Sequence, residues 1–263
     1  MFGCWRKNRP MLLDDYYFNF GPGKLNGKKD FKILSSSSEI GKEYDVLIFN
    51  DSKGVSLQNV KSWPEMLIEY FKEKGISSLF ISRPRELTVF FTLINFIKLN
   101  GVQFKYLITN VGFVETTPKK EEFIDDIISQ CPILNTNLRK YPLCDYPLNT
   151  GKIATLYSID YESVISLIAN SLHANFKQTH LIGAYEFTSG IKIQRNRPKE
   201  FYNQLKMANK LMRTVCGLSD NIEFVDVNCQ IPQNQEDLSY DAMHFTQEGH
   251  NNMLDFCLNL LDI

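Results

Sequence analysis

Apolar positions along the chain follow two rhythms. Short runs at Tyr44–Phe49, Ser78–Ile81, Tyr106–Val111, His180–Ala184 and Ile222–Val225 are nearly unbroken, as strands buried on both faces require. Between them apolar residues recur every three or four positions, the period of a helix with one face turned inward. Ser62-Trp-Pro-Glu65 has the form of a capping box, with Ser62 as N-cap and Glu65 three residues later. The helix it opens carries Trp63, Met66, Leu67, Tyr70 and Phe71 on one face and stops near Gly75. Further helices are expected over 86–100, from Thr117-Pro118 onward, and over 161–176, 199–216 and 246–261.

Strands alternating with helices imply a parallel sheet covered on both faces, and hence a three-layer α/β/α sandwich with a five-stranded parallel sheet of flavodoxin-like type. Residues 1–43 hold Gly21, Gly23, Gly27, Gly41 and the run Ser35–Ser38. They read as an irregular N-terminal extension with room for a short hairpin, ahead of one domain over 44–263.

Composition narrows the function classes. Of 263 residues, 43% are hydrophobic and 22% charged, as in ordinary globular proteins. The net charge of −1 lacks the basic excess of a dedicated nucleic-acid binder, so no nucleic-acid partner is expected. The longest apolar stretch, Leu87–Ile97, is too short to span a bilayer, and no secretory h-region follows the N-terminus. Six dispersed cysteines without a CxxC pair suit reduced thiols, with neither a metal site nor disulfides, so a cytoplasmic location is expected. No phosphate-binding or dinucleotide-binding glycine motif is present, so no cofactor is expected. Charge is uneven, however. Lys192 to Arg213 contains seven basic residues and one acid, and the stretch after Arg213 contains nine acids and no Lys or Arg. Solvated helix faces explain this pattern, as does a basic rim for an anionic ligand.

Ligands of doubly wound sheets bind at the carboxyl ends of the strands, so the residues just beyond each strand are the candidates for a site. The first strand runs into Asn50-Asp-Ser-Lys-Gly54, displaying Ser52 between strand and helix. After the last strand comes Asp241-Ala-Met-His244, where a carboxylate three residues before an imidazole can orient it. An imidazole so held is suited to take a proton from a serine hydroxyl. Ser52, His244 and Asp241 are therefore candidates for nucleophile, base and orienting acid.

These blocks resemble the SGNH (GDSL-type) esterases and lipases. Asn50-Asp51-Ser52 stands where that family has Gly-Asp-Ser, Ser62-Trp-Pro-Glu-Met-Leu67 matches its next helix start, and Asp241, His244, Gly249 and His250 match its closing block. The resemblance spans about Tyr44 to Ile263. It implies an SGNH-type sandwich and a serine esterase without cofactor or metal, acting on an O-acyl, above all O-acetyl, ester of a carbohydrate or similar small molecule. Members of this general look in bacterial surface-polysaccharide clusters point the same way.

The middle of the chain departs from the family. Its second-block glycine is replaced by Ser82-Arg-Pro-Arg85, and its third block by Gly112-Phe-Val-Glu115, with Val114 where the oxyanion-binding asparagine belongs. Asn110, Gly112, Thr116 and Thr117 are the candidate substitute donors. Asn110 lies four residues before Val114, so a turn at Gly112 would be needed to bring it to the site. Arg83 and Arg85, whose guanidinium forks suit carboxylates, suggest an anionic carrier for the ester. Two alternatives stand beside this reading: an acyltransferase using the same site on a sugar hydroxyl, and a non-catalytic binding protein of SGNH fold.

Overall fold

The computed structural model describes residues 11–13, 18, 32–37, 41–56, 59–82, 89–111, 138–139, 145–147, 153–155, 158–159, 161–186, 200–229, 238–239 and 244–261. Its strands are β1 (Met11–Leu13), β2 (Lys32–Ser35), β3 (Glu43–Asn50), β4 (Ser78–Ser82), β5 (Gln103–Thr109), β6 (Leu138–Arg139), β7 (Asp145–Pro147), β8 (Ile153–Thr155), β9 (Ser158–Ile159), β10 (Gln178–Ile182) and β11 (Ile222–Val225). Its helices are α1 (Trp63–Lys74), α2 (Val89–Asn100), α3 (Tyr161–Asn175), α4 (Glu200–Cys216) and α5 (Gln247–Leu260). The helix expected from Thr117-Pro118 onward lies outside the described residues.

The main sheet has the order β1-β2-β4-β3-β5-β10-β11. The five strands β4, β3, β5, β10 and β11 lie parallel as neighbours, which is the α/β arrangement the alternating pattern implies. The sheet is nevertheless wider than five strands. β2 joins β4 antiparallel, from Lys32↔Ser82 to Ser35↔Leu79, and β1 joins β2. The N-terminal region thus covers what would otherwise be an open edge at β4. Two small antiparallel pairs, β6 with β9 and β7 with β8, lie outside this sheet.

β3 sits in the middle because its residues can be buried on both sides. Val46, Leu47, Ile48 and Phe49 are completely buried. From β3 the chain crosses through α1 to β4 on one side, then through α2 to β5 on the other. The direction of winding reverses there, so the carboxyl ends of β3 and β5 border the crevice where doubly wound sheets hold ligands. α1 packs with α5, while α3 packs with both α2 and α4, giving a layer on each face.

Helix α1 follows its capping signal. Glu65 accepts the Ser62 backbone N–H at 3.0 Å and the Ser62 hydroxyl at 2.6 Å, and it also pairs with Lys32 of β2. Gly75 ends the helix in the left-handed region at φ 71°, a conformation glycine adopts at no steric cost. The buried stripe is Trp63, Pro64, Leu67, Ile68 and Phe71, with Met66 and Tyr70 only partly covered. Its centre is therefore rotated from the expected face toward Pro64 and Ile68, and the helix packs against both β4 and α5. At the basic helix α4, Arg213 stacks 4.0 Å from the Phe224 ring centre and pairs with Asp226. That charge ties the helix to β11. No helix among the described residues is long and apolar enough to cross a membrane.

Candidate active site at the carboxyl edge of the sheet

The ladder between β3 and β5 ends at Phe49↔Thr109, and the strand expected to run to Val111 stops at Thr109. Beyond that point side chains take over from the main chain. The Thr109 hydroxyl donates to the Phe49 carbonyl. The Asn110 N–H donates to Asn50 Oδ1 at 3.3 Å, and the Asp51 N–H donates to Asn110 Oδ1 at 3.0 Å. Asn50, Asp51 and Asn110 are all buried. The chain then makes a 3-10 turn over Ser52–Gly54, with Gly54 N–H to the Asp51 carbonyl at 3.1 Å and Val55 N–H to the Ser52 carbonyl at 3.2 Å. Ser52 is thereby presented, partly exposed, just past the end of the central strand.

The separation that Asn110 would have to bridge from its strand does not arise. Its amide oxygen already touches the peptide N–H immediately before Ser52. With that oxygen committed, the amide nitrogen is the end left to face elsewhere.

His244 is held from two directions. Its carbonyl accepts the Ser239 hydroxyl at 3.0 Å, and Thr246 N–H bonds the Leu238 carbonyl at 3.0 Å, closing a short antiparallel bridge between Ser239 and Phe245. Thr246 then caps α5 by accepting the Gly249 N–H at 3.2 Å. A Cβ on residue 249 would lie 2.2 Å from the Leu238 carbonyl oxygen, so this contact admits only glycine.

The first turn of α5 is fastened to the first turn of α1. Gln247 receives the Lys61 N–H at 3.0 Å and returns its amide to the Lys61 carbonyl at 3.2 Å. His250 Nδ1 accepts the Trp63 N–H at 3.3 Å. Since α1 starts at the carboxyl edge of β3, these bonds bring buried His244 to the same edge as Ser52. No hydrogen bond joins the Ser52 and His244 side chains in this structure. His250 is fully buried, and burial pushes its imidazole down to about 4, with Glu65 opposing the shift and His244 adding to it. It is a neutral helix cap with its proton on Nε2.

Asp241, Arg83, Arg85, Gly112, Thr116 and Thr117 lie outside the described residues. Among the described residues no cluster of three or more His, Cys, Asp or Glu side chains is arranged to hold a metal ion. Two contributors are not legible in the sequence, Asn50 as partner of Asn110 and His250 as cap of α1. Contacts across 60 and 187 residues leave no local spacing to read.

No protein-family model matches the chain, and no curated protein sequence matches it. Solved structures do. A catalytic mutant of an acetylxylan esterase from Geobacillus stearothermophilus superposes with a TM-score of 0.52 at 11% identity, covering 85% of this chain and 96% of that one. A second mutant described as an acetyl-xylooligosaccharide esterase from the same organism gives a TM-score of 0.51 at 11% identity, over 84% and 94%. An alpha/beta hydrolase enzyme from the metagenome of Lake Arreo, Spain, gives 0.50 at 15% identity, over 82% and 94%. The chain shares the fold of these enzymes.

Proposed function

We propose that the protein is a serine ester hydrolase of SGNH type that removes an O-acyl, above all O-acetyl, group from a carbohydrate or related small molecule. The observation that carries this reading is the placement of Ser52 on a tight turn at the winding reversal of the sheet, one peptide from the Asn110 amide. The delivery of His244 to the same edge by the α1–α5 fastening supports it, as do the esterases among the structural neighbours.

In this mechanism Ser52 Oγ attacks the acyl carbon while His244 takes its proton. Asp241 orients the imidazole and stabilises its charged form. The negative charge that develops on the carbonyl oxygen is met by the Ser52 backbone N–H and the Asn110 amide nitrogen, donors that gain strength as that charge grows. His244 then returns the proton to the departing sugar oxygen, and a water attacks the acyl-serine by the same route. Arg83 directly follows Ser82, the β4 residue that pairs with Asn50. With Arg85 it supports a carrier bearing a carboxylate.

The test is covalent labelling with a fluorophosphonate probe together with p-nitrophenyl acetate hydrolysis. Wild-type protein is expected to label at Ser52 and to turn over. Ser52→Ala is expected to lose labelling, and Ser52→Ala and His244→Ala each to lose about 10³-fold or more in turnover. Near wild-type hydrolysis by Ser52→Ala overturns the assignment of the nucleophile.

A further inference from the structure

We infer that Asn50 is the positioning residue of the serine turn, holding Ser52 in register with Asn110 through a two-bond clasp. The inference rests on the esterase reading for its kinetic consequence, while the clasp itself is a matter of geometry.

The two bonds run in opposite directions between neighbouring strand ends. Asn50 Oδ1 receives the Asn110 N–H, and Asn110 Oδ1 receives the Asp51 N–H. Each asparagine thus holds the backbone of the other's strand, and the pair extends the β3–β5 ladder past its last main-chain partners. The second bond fixes the peptide N–H immediately ahead of Ser52, so the turn cannot shift without breaking it.

Gly54 supplies an independent observation. Its φ does not fall in the left-handed region, so the turn itself does not demand glycine. The reason for glycine is Asn50. A Cβ at residue 54 would meet Asn50 Nδ2 at 2.5 Å, Cβ at 2.7 Å and Cγ at 2.9 Å, and those are the three nearest atoms. The Asn50 side chain therefore fills the underside of the turn and sets its height above the strand.

This arrangement has a cost that the chain bears. Asn50 Nδ2 is buried with no hydrogen-bond acceptor among the described residues. A half-satisfied buried amide is destabilising compared with an apolar or smaller residue, so packing alone does not account for it. Its oxygen and its bulk are what the site uses. Asn50 is wholly buried, so it acts through Ser52 and Asn110 and not on substrate.

The geometric prediction is a coupled pair. Asn50→Gly removes the support and one bond of the clasp, the acceptor of the Asn110 N–H, and leaves the Asp51–Asn110 bond unbuttressed. A misplacement of the nucleophile by ~1 Å can cost as much as about 10²-fold in rate. The expected result is a 10- to 100-fold fall in kcat for p-nitrophenyl acetate, with KM within threefold and Ser52 labelling slowed in parallel. Gly54→Ala alone is expected to lose activity at least as severely, by driving its methyl group into Asn50. Gly54→Ala added to Asn50→Gly is expected to cost less than threefold more, because the obstructing side chain is gone. Backbone amide exchange at Asp51, followed by mass spectrometry or NMR, is expected to rise at least tenfold in Asn50→Gly. Should that variant fail to fold, Asn50→Ser takes its place with the same expected directions.

Additive losses in the double variant overturn the inference, as does an Asn50→Gly variant within threefold of wild type in both kcat and Asp51 exchange. A loss confined to KM overturns it too. If wild-type protein neither labels nor hydrolyses ester, the esterase reading fails separately, and amide exchange alone then decides the clasp.

Discussion

Acidification provides a measurable strain on the joint between α1 and α5. His250 accepts the Trp63 N–H through Nδ1, which it can do only while neutral, and burial holds its imidazole down to about 4 from an ordinary value of 6.5. The folded state thus binds this proton less readily than the unfolded chain. Stability contributed by the neutral form is intact above pH 6.5, declines as pH falls, and is lost by about pH 4. At 1.36 kcal/mol per pH unit the displacement corresponds to about 3 kcal/mol, a large share of the 5–15 kcal/mol of an ordinary domain. The matched perturbation is His250→Asn, whose amide oxygen stands near the position of Nδ1 and does not titrate. Urea unfolding of both proteins at intervals from pH 7 to pH 4 isolates this group, since the two chains share every other ionisable side chain. Wild-type protein is expected to lose about 3 kcal/mol more than the variant over that range. Parallel stability curves, differing by under ~1 kcal/mol in their pH dependence, would refute the reasoning.

Further outcomes rest on the same geometry. Asn110→Ala removes the acceptor for the Asp51 N–H and the proposed oxyanion donor together, so kcat should fall by about 10²-fold or more in a protein that circular dichroism shows to be folded. A change below threefold in steady-state kinetics contradicts that role. Gly249→Ala forces the Leu238 carbonyl aside and should destabilise by about 2 kcal/mol in chemical denaturation, despite the better helix propensity of alanine. The same variant should weaken turnover, because the displaced segment carries His244. Arg83→Ala and Arg85→Ala should reduce kcat/KM for acetyl esters of acidic sugars several-fold and leave neutral ones unaltered, and equal effects on both remove the preference for an anionic carrier.

The layered fold is legible because burial on both faces demands long apolar runs, and Tyr44–Phe49 announces itself by composition alone. The Ser62 box marks the start of α1 for a similarly local reason, since all its partners lie within four residues. β1 and β2 are not legible, because they contribute only three and four residues and owe their pairing to the exposed edge of β4, not to their own pattern. The end of β5 reads two residues too far for a related reason. Asn110 and Val111 look like a continuation of the strand, but the backbone of Asn110 bonds to a side chain 60 residues away. Ser52 and His244 can be singled out because position after a strand is readable. The environment that would make the serine reactive is not, since Asn50 looks like any polar residue at the end of a strand.

The hydrogen bond from Trp63 to His250 also has a meaning for the order of assembly. It closes a loop of 187 residues, and Gln247 with Lys61 closes one of 186. Contacts so distant along the chain pay their loop entropy late, after nearer strands have paired. During synthesis the Ser52 turn and its Asn110 partner can form once β5 has emerged, while His244 reaches the edge only when α5 docks. The proposed nucleophile and its proposed base are thus kept apart until α5 has been made, so a growing chain carries the candidate site in incomplete form.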